Sequence, residues 1–167
     1  MYATVENLIS AFGLSDVTSL LADERQGLDT DLLRDAIDGD LSAYSQDEQA
    51  AAAAALARAE NVLNEQTAYI DGYLARRYRL PLTTDELATA VQLRSGCAAL
   101  ARCALADDAD SSTEQMVDDR TYWNRWLMQL ADGKTLLPGV QQISAGTGTT
   151  HRRLTGKPRS AVNWERY

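Results

Sequence analysis

Residues 67–82 read TAYIDGYLARRYRLPL, and this stretch decides how the rest of the chain can fold. Ile70, Leu74 and Tyr78 recur every four residues and so share one face of a helix. Arg76 and Arg77 fall in its last turn, where cations meet the negative end of the helix dipole. Leu80 is driven out of the helical region by Pro81. The pattern is the end of a long helix and a hard stop, after which a second helix must fold back on the first. The product is a helical hairpin with a charged, aromatic corner.

Working outward, Ser45 and Glu48 form a capping box, S-x-x-E, that opens this helix over residues 46–78. Leu56, Ala59, Leu63, Ile70, Leu74 and Tyr78 line one side; Arg58, Asn61, Glu65, Gly72 and Arg76 line the other. Val62, Tyr69 and Tyr73 widen the apolar stripe. Gly72, on the polar side, either lets another backbone approach or is a tolerated surface glycine. Arg77 lies beside the stripe, with two readings: its stem snorkels past the helix end, or it pairs with Asp85 or Glu86 across the turn. Thr83 and Glu86 form a second capping box, opening a helix over residues 84–106 with Ala90, Leu93, Cys97, Leu100, Ala101 and Ala104 inward. A third helix, 113–132, starts at Ser112 or Thr113 and ends at Gly133. Met116, Trp123, Leu127 and Leu130 share its inner face. Trp126 sits at the edge of that face, as core or as an interface anchor.

The ends are less regular. Thr4 caps a short helix through about Ala11, with Gly13 as a left-handed stop, and Ser15 or Asp16 caps another. Neither is stable alone, so both must pack across the long helices. Residues 23–45 are an acidic insertion expected at the surface, with two to three helical turns after Asp29 or Thr30 and an end near Gly39. From Lys134 the periodicity breaks, and the segment to Tyr167 reads as an extended arm with scattered anchors. The fold class expected is all-α: a small bundle over residues 1–133 and an extended arm over 134–167.

Charge divides the chain at the same place. The net charge is −8, but residues 1–133 carry 10 Lys and Arg against 23 Asp and Glu, net −13. Residues 134–167 carry 6 Lys and Arg against Glu165 alone, net +5. An acidic body with a basic tail points to docking between subunits or onto an acidic partner. No apolar run approaches the ~20 residues that span a bilayer, and MYATVENLIS has no basic leader of a secretory signal. Cys97 and Cys103 lie six residues apart in one helix and read as buried thiols. His151 is the single histidine, which argues against zinc. The G-x-G in AGTGTT, residues 145–150, lacks the Lys-Ser/Thr of a phosphate loop. Adjacent acids such as Asp107 and Asp108 or Asp118 and Asp119 diverge on a helix and make poor acid–base dyads. The expectation is no enzyme, no cofactor and no metal.

IDGYLARRYRLPL (residues 70–82), the opening MYAT..NLISAFG (residues 1–13) and RTYWNRWLMQLADG (residues 120–133) resemble a family of small Mu-like phage proteins regarded as head–tail connector, adaptor or neck proteins. The resemblance covers most of residues 1–133 and excludes the insertion and the arm. It implies a homo-oligomeric ring, dodecameric in the virion by family analogy, between the portal protein and the tail or neck proteins. DNA passes through such a ring without specific binding. The implied location is the neck of the virion, with the host cytoplasm during assembly and no membrane. Negative walls suit a conduit because they repel phosphate. The residues expected at subunit or partner interfaces are Tyr73, Arg76, Arg77, Trp126, Arg152, Arg153, Leu154, Arg159, Trp164 and Tyr167. The alternative is an oligomeric nucleic-acid-binding regulator whose basic arm, with Lys157 and Arg166 included, holds DNA. Against it, no long helix has the basic face of a recognition helix.

Overall fold

A computed structural model describes residues 1–22, 27–108 and 111–143. Among them the chain forms α1 (Val5–Phe12), α2 (Leu14–Leu21), α3 (Thr30–Asp38), α4 (Gln46–Leu74), α5 (Thr84–Thr89), α6 (Val91–Asp108) and α7 (Glu114–Asp132). The protein is all-α, as its periodicity requires. The local start signals act where the sequence puts them. Thr4, Ser45 and Thr83 close full capping boxes with Asn7, Glu48 and Glu86, while Asp29 and Thr113 cap α3 and α7 with their side chains.

α6 is the centre of the molecule. It packs against α1, α2, α4, α5 and α7. Leu93, Cys97, Ala98, Leu100, Ala101, Cys103, Leu105 and Ala106 are all buried, so the helix is enclosed on most of its circumference. Its small residues permit this. A Cβ at Gly96 would lie 2.8 Å from Trp123 Cε3, so the indole rests directly on the glycine backbone. α6 and α7 are antiparallel: Gly96 meets Trp123, and Cys103 Sγ donates to the Met116 carbonyl at 3.1 Å. Burial pushes both thiols above their ordinary range. The N-terminus straps α4: the Tyr2 N–H donates to Thr67 Oγ1 at 3.2 Å and its hydroxyl donates to Asp71. Burial, then Asp71, raises the Tyr2 phenol, which stays a donor. α2 is tied to α6 by the Asp16–Arg102 ion pair at 2.8 Å, and the Arg102 guanidinium lies 4.6 Å from the Phe12 ring centroid.

Four expectations need correction. The helix through residue 78 ends at Leu74; Ala75 to Arg77 form a turn, and Tyr78 makes a β-bridge with Gln142. The helix over 84–106 is broken at Ala90, whose ψ of 53° redirects the chain so that α6 enters the core. Gly13 has positive φ but an extended ψ of 149°, and serves as both the end of α1 and the start of α2. The insertion is not merely superficial. Leu28, Leu32 and Leu33 are buried in the main core, and only the acidic side of α3 faces water.

Candidate subunit and partner interface

The corner at the end of α4 works as a clasp on the segment that follows α7. The turn frees the Arg77 carbonyl, which accepts the Ile143 N–H at 2.7 Å. Tyr78 is 1% exposed, and its hydroxyl accepts the Leu137 N–H at 3.0 Å. Glu86 serves two roles with one carboxylate. Oε2 accepts the Thr83 N–H and hydroxyl at 2.9 Å, and Oε1 accepts the Gln141 N–H at 3.0 Å. These bonds hold its carboxyl below the ordinary range. Leu137 and Val140 are buried in the core cluster. Gly139, at φ +72°, lies so close to α5 that a Cβ there would sit 2.6 Å from Thr89 Oγ1. Residues 134–143 therefore pack on their own body, where an arm free of it was expected.

Arg77 makes neither of its candidate ion pairs. Its guanidinium lies over Gly133, the left-handed cap of α7, at the spot a Cβ would occupy. Glu86 is meanwhile committed to the cap and to Gln141. The Leu80–Pro81 peptide in the same corner is cis. Nothing lies within 4 Å of a Cβ at Gly72.

Of the other expected interface residues, Tyr73 is half-buried beside Tyr69, with hydroxyls 3.0 Å apart and rings edge-to-face at 5.3 Å. The Tyr69 hydroxyl reaches Asn124 Oδ1 at 3.2 Å, joining α4 to α7. Its phenol is pushed up to about 12, chiefly by the bond to Tyr73, and stays protonated at neutral pH. Arg76 is exposed one turn on. Trp126 is half-buried against the core, its ring edge-to-face with Trp123 at 5.5 Å. It stands two residues from Asn124, about 200° around α7, so it is on the opposite flank from the tyrosine pair. Arg152, Arg153, Leu154, Arg159, Trp164 and Tyr167 lie outside the described residues.

Sequence reasoning missed the apolar outer surface of α7, where Val117, Tyr122 and Met128 are exposed. The spacing of Val117, Asn124 and Met128, seven and then four, is a signal that could have found the stripe beside Tyr69. Next to it a cleft of about 340 Å³ is lined by Glu65, Gln66, Tyr69, Leu100, Ala104, Arg120 and Asn124. Arg120 closes its lower end, donating to the Cys103 carbonyl at 3.2 Å and pairing with Asp107. No helix among the described residues is long and apolar enough to cross a membrane.

Fold and surface together define a small acidic all-helical protein with a C-terminal segment led out through a fixed clasp. The sequence matches the family described as Bacteriophage Mu, Gp36 over residues 2–152, and the chain belongs to that family. It is also similar to "Gene product J" of Escherichia phage Mu, 38% identical over 89 residues. That match covers 53% of this chain and 58% of the relative, so the chain spans little more than half of that protein's length.

Proposed function

We propose that this protein is a structural component of the phage particle, a subunit of the ring that connects head to tail, with no catalytic role. The observation that carries the reading is membership of the Mu family over residues 2–152. The charge distribution supports it, since an acidic body repels phosphate and leaves DNA free to slide through a ring. The clasp supports it too. It fixes Ile143 at the corner, so the basic residues beyond depart from a defined point on every subunit. In this reading the ring joins the portal to the tail or neck proteins, and residues 144–167 reach a neighbouring chain. Deleting residues 150–167 tests it. The truncated protein keeps the helical circular dichroism of the full chain, because the core lies within residues 3–140, and heads fail to join tails. Infectious particles at the normal level would contradict the reading.

A further inference from the structure

The geometry points to a docking trough between α1, α3 and α4 that receives residues 150–167 of a neighbouring copy of this chain. The inference rests on the proposed ring, in which every subunit has such a neighbour. Two adjoining hollows, of about 290 and 270 Å³, share Glu6 and Ile37 and so form one continuous trough. Each is too small for a typical cofactor but suits side-chain anchors. Ile9, Ile37 and Leu56 form its floor and remain only half-buried. Glu6, Asp38 and Glu60 stand exposed on its rim. The lining cation Arg34 is already paired with Asp31 at 2.9 Å, so the rim is net acidic.

Residues 150–167, THRRLTGKPRSAVNWERY, carry the complementary pattern. Arg152, Arg153, Lys157, Arg159 and Arg166 oppose the acidic rim, with Glu165 the single acid. Leu154, Val162 and Trp164 supply apolar anchors, and Trp and Arg are the commonest interface anchors. The charge attraction is modest and screened by salt, so the anchors set the register and the charges select the partner.

Chain length assigns the trough to another copy. The described chain ends at Ile143, tied to the corner beyond Leu74. Leu56 and Glu60 precede Leu74 by 18 and 14 residues on α4, which is about 21–27 Å of helix. Six residues, 144–149, span at most about 21 Å when fully extended. A linker running over the surface cannot cover that route within one chain and still seat the whole segment. From a neighbour it can.

The test uses the full-length protein with a benzophenone amino acid in place of Ser10, an exposed position in the trough lining. On irradiation at low salt, covalent dimers form and their adducts map to residues 150–167. Reversing the rim with Asp38→Lys and Glu60→Lys lowers dimer adducts about tenfold, and reversing the segment with Arg152→Glu and Arg153→Glu does the same. All four positions are exposed or outside the core, so the fold is kept. Mixing the probe-bearing rim variant with the reversed-segment variant restores adducts to within about twofold. Adducts only within one chain, adducts on any other surface, no adducts, or yields indifferent to the reversals would each overturn the trough. The ring reading is judged separately, by the joining of heads to tails when residues 150–167 are deleted.

Discussion

At the scale of single residues, the corner motif earns its composition through Tyr78 and Glu86. The spacing of Tyr78 marks it as core, but its hydroxyl is what receives the chain returning from α7. Tyr78→Phe keeps the packing and leaves the buried Leu137 N–H without its acceptor. The expected cost is about 1–3 kcal/mol in denaturant unfolding, with faster hydrogen exchange at Leu137 and Ile143. Glu86 makes the clasp pH-dependent. Thr83 and Gln141 lower its carboxyl from 4.5, so its contribution is full above the unfolded value. It is lost as pH falls through the lower folded value. Glu86→Gln should therefore melt below the wild type near pH 7, and the gap should close at about pH 3. A gap that is constant with pH would place the effect elsewhere.

Among the elements, α6 governs the packing, and its contact with α7 is the tightest test of that. Gly96→Ala forces a methyl against the Trp123 ring, so the helices must part. A loss of about 1–3 kcal/mol in thermal or urea unfolding is expected, with a shift in Trp fluorescence. An unchanged stability would mean that the indole does not rest on Gly96. What was legible in the chain follows the same line between local and distant causes. Ser45 with Glu48 and Thr83 with Glu86 announce helix starts because each box is complete within four residues. The end of α4 at Leu74 was not legible, because Ile143 sets it from 66 residues away by bonding to the Arg77 carbonyl. The break at Ala90 has no Gly or Pro to mark it and arises from the turn of α6 into the core. At the candidate interface, Tyr73 and Trp126 were visible as aromatic surface. Their separation onto two flanks of the molecule depends on which side of α7 faces α4, and no single-helix pattern carries that. Tyr69 had the same signal as Tyr73, but its partner Asn124 lies on another helix.

For the whole molecule, the division of charge at the end of α7 is the property that distinguishes the readings. The helical body is net acidic and carries no basic stripe along a helix, so the protein lacking residues 150–167 is expected not to retard duplex DNA at physiological salt. Sub-micromolar, salt-sensitive binding by that protein would favour a nucleic-acid-binding regulator. The full chain at low salt is a separate case, because residues 150–167 hold five of the 16 Lys and Arg residues. A fully helical body with buried anchors for residues 134–143 also gives every subunit the same exit point at Ile143, as a closed ring of identical contacts requires. The central claim is that this protein sits in the particle where head meets tail. Electron cryomicroscopy of purified particles, focused on the portal vertex, tests it most directly. The account predicts a ring of all-helical subunits between portal and tail, into which α4, α6 and α7 fit as one unit with acidic surface toward the channel. Particles that are complete and infectious but hold no such ring of this protein would contradict it.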